Sequence, residues 1–133
     1  MCTTHEVGHL VGGWLSGAKL QSWSLAPWSL PYSLHNPDPY PLVTLWAGPF
    51  LGVLMPIAAA LLLKRDWAWF VAHFCVLANG IYLAIAWFTM DRYLDTQRLL
   101  DAGSPRWSLF AYCLITISIG YIQFRKSCIK VLD

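Results

Sequence analysis

Three long apolar segments constrain the fold of this chain more than any other feature. Residues 42–63, 67–90 and 107–124 are each close to the ~20 residues that a helix needs to cross the hydrocarbon core of a bilayer. Charged residues follow the first and the last of these segments. Inside a membrane only helices or closed barrels satisfy the backbone, and no alternating strand pattern indicates a barrel. We therefore predict an all-α integral membrane protein with three full transmembrane helices.

The overall composition agrees with this prediction. The 133 residues are 57% hydrophobic and 12% charged, whereas a typical soluble domain contains about 25% charged residues. The net charge of +2 is small and the basic residues are scattered, which argues against nucleic-acid binding. We expect a multi-pass protein of the cell membrane, in contact with the lipid bilayer and folded as one domain over residues 1–133.

A fourth apolar segment, residues 1–17, is short for a span and carries ionisable groups almost at its start. It contains the stretch THEVGHLVGG, in which His5, Glu6 and His9 form the pattern H-E-x-x-H. We expect this segment to be a truncated transmembrane helix that lacks its N-terminal half. The predicted architecture is a polytopic helical bundle of one truncated and three full spans.

Two polar stretches separate the apolar segments. Residues 18–41 are rich in Pro, Ser and Trp, so a helix is disfavoured and a short extended hairpin at the membrane interface is predicted. Residues 91–106 contain DTQRLLDAGSP, which predicts a short helix ended by Gly103 and Pro105.

The spacing of H-E-x-x-H predicts a metal site. On an α-helix, residues i and i+4 lie on one face a turn apart, so His5 and His9 can bind one ion through their imidazoles. Glu6 lies between them, where its carboxylate can take a proton from a zinc-bound water whose pKa the metal lowers toward ~7. Ionisable groups in a membrane segment are costly and usually functional. We therefore predict Zn²⁺ as the cofactor, with Glu6 as the catalytic base.

The third ligand is less constrained by the residues alone. Hydrolytic zinc sites usually have three protein ligands and an open position. The metzincin pattern is excluded because Leu15 stands where its third His would be, and Glu6 is the only glutamate. The remaining candidates are the aspartates, two histidines and one cysteine, namely Asp38, Asp66, Asp91, Asp95, Asp101, Asp133, His35, His73 and Cys2.

Several features, taken in order, match a known family. The segment HEVGHLVGGWLSG is followed by a hairpin-like connector, and the next apolar segment carries Gly48-Pro49 in WAGPFLGVL. Leu94-Asp95 then occurs in YLDTQRLLDAG. Together these features resemble the site-2 protease-like membrane zinc metallopeptidases. Thr96 stands where the family's Leu-Asp-Gly motif has glycine, and the family's preceding Asn-Pro is absent.

The resemblance implies a zinc metalloendopeptidase that carries out intramembrane proteolysis. His5, His9 and Asp95 would hold the metal, with Asp91 as the alternative third ligand, and Glu6 would be catalytic. The substrates would be membrane-spanning or membrane-adjacent proteins, and an extended substrate could add as a strand to the connector hairpin. The rival hypothesis is a catalytically degenerate metal-binding membrane protein that serves as a helix-binding or scaffold partner. A third hypothesis, a scaffold with an accidental motif, predicts no bound zinc.

Other polar residues have structural interpretations. We expect His73 to pack between helices or to lie at the interface, and His35 to be solvated or, alternatively, to guard the site. Asn79 is expected either to form a hydrogen bond with another helix or to hold a substrate backbone near the zinc. The four cysteines are expected to be free, buried thiols. Five glycines are expected to be close-packing points between helices: Gly12, Gly13, Gly17, Gly48 and Gly52.

Overall fold

The structure is a computed structural model that describes residues 2–26, 28 and 31–132. About 75% of the described residues are helical. The described elements, in chain order, are α1 (Cys2–Ser16), β1 (Leu20–Ser24), β2 (Tyr32–His35), α2 (Pro41–Leu63), α3 (Asp66–Thr89), α4 (Asp95–Asp101) and α5 (Arg106–Leu132). The predicted helices and the predicted hairpin are therefore all present.

Three of these helices are long and apolar enough to cross a membrane. They are Pro41–Leu63, Asp66–Thr89 and the segment Arg106–Lys130 of α5. The helices α2 and α3 each begin and end within one residue of the limits of the predicted segments. The predicted end of the last segment at residue 124 was wrong as a helix boundary, because α5 continues to Leu132. Arg125 and Lys126 end the apolar character there, but both residue types are good helix formers and no Gly or Pro follows them.

The chain divides into two compact units, Met1–Gly52 and Val53–Asp133. In the first unit, β1 and β2 pair antiparallel, with Trp23 opposite Ser33. Successive side chains of a strand point to opposite faces, and accordingly Ser33 is 3% exposed whereas Leu34 is 43% exposed. The buried face of β2 lies toward α1, which it contacts.

Within the same unit, α1 approaches α2 through small residues. Gly8 and Gly12 lie one turn apart on one face of α1. A Cβ added at Gly8 would overlap the carbonyl oxygen of Ala47, and one added at Gly12 would overlap the Ala47 side chain. Such small residues at i and i+4 let two helix backbones approach closely. The packing role predicted for Gly12 is confirmed.

Gly17 has a different role from the one predicted. Its φ of +75° is left-handed, and an added Cβ would meet nothing within 4 Å. The N–H of Ala18 donates to the carbonyl of Gly13 at 2.8 Å, and the N–H of Gly17 donates to that of Trp14 at 3.3 Å. This pair of bonds is a Schellman motif, which ends a helix. The prediction of Gly17 as a packing point was therefore wrong, and the residue caps α1 instead.

In the second unit, α3 packs against α5. A Cβ added at Gly80 would overlap Thr116, which explains the close approach of the two helices. The Nδ1 atom of His73 lies 2.8 Å from the Ser127 hydroxyl of α5, so the helix-packing role predicted for His73 is confirmed. Asn79 is completely buried in α3, and its two predicted roles stay predictions.

The short helix α4 is fixed to α3 by a buried hydrogen bond. The Thr96 hydroxyl donates to the carbonyl of Leu83 at 2.8 Å. Gly103, with φ of +93°, follows the helix, and Ser104 N–H donates to the Leu99 carbonyl at 2.9 Å. The predicted end of this helix at Gly103 is confirmed. The four cysteines are free, as predicted, but only Cys75 and Cys113 are buried, whereas Cys2 is exposed.

Candidate metal centre

The three residues of the H-E-x-x-H pattern form one cluster on α1. One ligand atom from each of His5, Glu6 and His9 can be chosen so that all three lie within 4.8 Å of one another. The two imidazole centroids are 4.9 Å apart, as the i, i+4 spacing requires. His5 is 3% exposed and His9 is 2% exposed. Two imidazoles and one carboxylate are a donor set that suits zinc and several other divalent transition metals.

The orientation of His9 fits a metal ligand. Its Nδ1 atom lies 2.9 Å from the main-chain carbonyl oxygen of Thr44 on α2. A carbonyl can only accept a hydrogen bond, so Nδ1 carries the proton and Nε2 holds the lone pair of the neutral ring. Metal-binding histidines commonly donate their second N–H to a carbonyl in this way, which fixes the tautomer and the ring orientation.

Gly48 provides the space that the His9 ring needs. A Cβ at this position would fall 2.8 Å from Cδ2 of His9, and nearer still to Cε1 and Nε2. Thr44 and Gly48 lie one turn apart on α2, so one face of that helix both bonds and accommodates the ring. The predicted close-packing role of Gly48 is therefore confirmed, and the atom group that packs there is the imidazole of the motif.

The hairpin contributes a polar group to the cluster. The hydroxyl of Ser33 on β2 donates to Oε2 of Glu6 at 3.0 Å. Ser33 is 3% exposed, whereas Glu6 is partly exposed. Ser33 was not predicted as part of the site, although the period-two alternation of a hairpin strand places it on the face shared with His35. Thr44 was not predicted either, because a main-chain carbonyl has no sequence signature.

His35 is placed differently from the prediction. It belongs to β2, and its ring lies so close to Gly13 that an added Cβ there would overlap Nε2 and Cδ2. The prediction of a solvated His35 was wrong because the alternation of β2 directs this side chain toward α1. Gly13 follows His9 by one helical turn, and its packing partner is this imidazole rather than another helix.

The two aspartates considered as the third ligand lie in the second unit, and their burial differs. Asp95 is the first residue of α4 and is 5% exposed, with Oδ1 at 3.8 Å from Nη1 of Arg98. Asp91 is exposed, and its Oδ1 accepts a hydrogen bond from the Tyr93 N–H at 2.9 Å. The assignment of Asp95 as a ligand stays a prediction.

Comparison with models of protein families, with curated proteins and with solved structures gives no match for this chain.

Proposed function

We propose that this protein is a zinc-dependent membrane metalloendopeptidase that hydrolyses a peptide bond at or within the membrane. The hydrogen bond from His9 Nδ1 to the Thr44 carbonyl carries the proposal. It holds the metal-binding tautomer of His9 beside a second imidazole and a carboxylate. An imidazole that served only to pack two helices would need neither of these neighbours.

The membrane architecture belongs to the same proposal. The helices α2, α3 and α5 each have the length and apolar character of a span. We assign them as the transmembrane helices of a polytopic bundle in the cell membrane, with α1 as a further, shorter membrane segment. Hydrolysis consumes water, so this arrangement must leave a water-accessible path to Glu6.

In this proposal His5, His9 and Asp95 hold the zinc ion. Burial favours Asp95 over Asp91, because a carboxylate withdrawn from water is stabilised by a cation whereas an exposed one is already hydrated. When bound, zinc would polarise the scissile carbonyl and lower the pKa of a water molecule in the site.

Glu6 acts as the general base and then as the general acid. Its carboxylate takes a proton from the attacking water and later delivers it to the leaving amine. The Ser33 hydroxyl donates to Oε2 of this carboxylate at 3.0 Å and helps to hold it in place. A purely structural metal site has no use for a base beside its ligands, and this favours a peptidase over the degenerate metal-binding alternative.

The position of Ser33 also suggests how the substrate is presented. The hairpin is a two-stranded antiparallel sheet, and β2 runs along α1 with Ser33 on Glu6. A membrane-spanning or membrane-adjacent protein that added an extended segment to this sheet would align its main chain past Glu6. Strand addition uses main-chain hydrogen bonds, and a locally extended segment exposes its carbonyl to attack.

The test is quantitative proteomics of protein N-termini in membranes from cells that express wild type, Glu6→Gln or Asp101→Asn. Asp101 accepts a hydrogen bond from Gln97 on an exposed face, so its variant is the control for the loss of a carboxylate. We expect new N-termini within or beside transmembrane segments for wild type and for Asp101→Asn only. The same new termini in Glu6→Gln would refute the assignment, and their absence in wild type that binds zinc would favour the scaffold alternative.

A further inference from the structure

A polar cavity lies between the N-terminal end of α3 and the C-terminal end of α5, within the second unit. Its volume is about 190 Å³. Two lysines, an amide, a hydroxyl, an imidazole and an indole contribute to its lining: Lys126, Lys130, Gln123, Ser127, His73 and Trp69. The two apolar helices therefore end around a pocket that is rich in hydrogen-bond donors.

The cavity carries net positive charge. Lys126 and Lys130 lie one turn apart on α5, so their ammonium groups approach the same rim. Asp66 also lines the cavity, and its Oδ1 lies 2.6 Å from Nζ of Lys130. Two ammonium groups against one carboxylate leave a net charge that favours an anion.

The inner part of the cavity is polar, and its side chains contact one another. His73 Nδ1 lies 2.8 Å from the Ser127 hydroxyl, and the Trp69 ring stacks on the His73 ring with centroids 5.4 Å apart. His73 lies seven residues after Asp66, about 10 Å further along the helix axis at ~1.5 Å per residue. The cavity thus extends from the Asp66–Lys130 ion pair at the helix ends to the level of Lys126, Ser127 and His73.

An apolar groove of about 540 Å³ continues from this polar inner part. It shares Trp69, His73 and Gln123 with the polar cavity. The rest of its lining is mostly aliphatic and also lies in the second unit: Val53, Ile57, Val76, Ile115 and Ile119. The positively charged polar cavity and the aliphatic groove therefore adjoin one another.

We propose that this composite cavity is a binding site for an anionic phospholipid. The headgroup phosphate would lie between Lys126 and Lys130, and one acyl chain would fill the aliphatic groove. Lysines clustered at the ends of membrane helices attract anionic lipids, and each lysine contributes about 1 kcal/mol. Trp rings favour the same interfacial depth. The site requires that α3 and α5 cross a bilayer, but it does not depend on the metal centre or on peptidase activity.

The test is a lipid titration of the full chain in mild detergent, followed by native mass spectrometry. Phosphatidylglycerol is compared with phosphatidylcholine of the same acyl chains. We expect wild type to bind phosphatidylglycerol more tightly than phosphatidylcholine. The double variant that combines Lys126→Gln and Lys130→Gln should bind phosphatidylglycerol about 25-fold more weakly, because each lysine contributes about fivefold. The control with the same charge change is Lys64→Gln with Arg125→Gln, neither of which lines the cavity. An equal loss in both double variants would overturn the proposal.

Asp66→Asn provides a second test, because a misfolded variant would not bind the lipid more tightly. Removing the carboxylate beside Lys130 should tighten phosphatidylglycerol binding about fivefold, since one competing negative charge is lost. Inorganic phosphate and glycerol 3-phosphate distinguish a lipid site from a simple anion pocket. We expect neither to displace the lipid at millimolar concentration. Displacement by either one, or unchanged lipid affinity in Asp66→Asn, would contradict the assignment.

Discussion

Gly48→Ala tests whether the His9 ring is held for metal binding. The added methyl carbon would lie 2.8 Å from Cδ2 of His9, whereas ordinary contact begins at 3.4 Å. The ring must therefore retreat by at least about 0.6 Å, although its Nδ1 is bonded to a carbonyl on the same α2 helix as Gly48. Metal–ligand distances tolerate only about 0.2 Å of deviation. We expect zinc affinity to fall about 10–100-fold, the range for the loss of an outer partner of a ligand.

The assay is competition for zinc with a chromophoric chelator, on protein purified in detergent. Gly80→Ala is the matched control, because its added Cβ would overlap Thr116 in the second unit just as severely. Both variants should unfold more easily, by about 1–3 kcal/mol for an overpacked contact. Only Gly48→Ala should also lose zinc affinity.

Two results would refute this reasoning. Wild-type zinc affinity in Gly48→Ala would mean that the His9 ring does not bind the metal in the orientation seen here. An equal loss of affinity in Gly80→Ala would mean that the effect reports general destabilisation and not the position of the ring.

Three further predictions concern single side chains. Ser33→Ala removes the hydroxyl that donates to Glu6. A hydrogen bond to a charged group contributes ~1.5–3 kcal/mol, so we expect cleavage to slow at least about tenfold while the zinc content stays unchanged. A wild-type cleavage rate would exclude a positioning role for Ser33. Asp95→Asn should lower zinc affinity in the chelator assay while Asp91→Asn leaves it unchanged, and the reverse pattern would exchange the two assignments. Thr96→Val removes the buried hydrogen bond from the Thr96 hydroxyl to the Leu83 carbonyl and should cost about 0.5–1.5 kcal/mol in a denaturant unfolding assay, whereas Thr96→Ser, which keeps the donor, should lose less.

The helices and their ends were largely predictable from local signals. Apolar length identified α2 and α3, and the sequence Ala-Gly-Ser-Pro identified the end of α4, because glycine adopts the left-handed cap that Gly103 shows. The same signal at Gly17 was present but was interpreted as packing. The end of α5 was mispredicted because hydropathy reports where a span ends and not where helical hydrogen bonding ends.

The candidate site was predictable only in part. The i, i+4 spacing placed His5 and His9 together, since a helix fixes that geometry locally. The partners from other elements depend on tertiary structure, and the Thr44 carbonyl is invisible in a sequence because every residue has one. His35 was misjudged because its environment depends on the strand alternation of β2 and on the small size of Gly13.

The fold also gives Thr96 a structural role. Thr96 replaces the glycine that follows the aspartate in the resembled motif, and its hydroxyl makes the buried bond that joins α4 to α3. This bond fixes the start of α4, where Asp95 lies. The substitution is therefore compatible with a precisely placed carboxylate at this position.

The most direct test of the metal centre is zinc stoichiometry, by elemental analysis of protein purified in detergent, for wild type, His9→Ala and Glu6→Gln. The proposed roles predict about one zinc per chain in wild type and in Glu6→Gln, and none in His9→Ala, because His9 is a ligand whereas Glu6 is the base. Wild type without zinc, or His9→Ala with a full complement of it, would contradict the proposed metal centre.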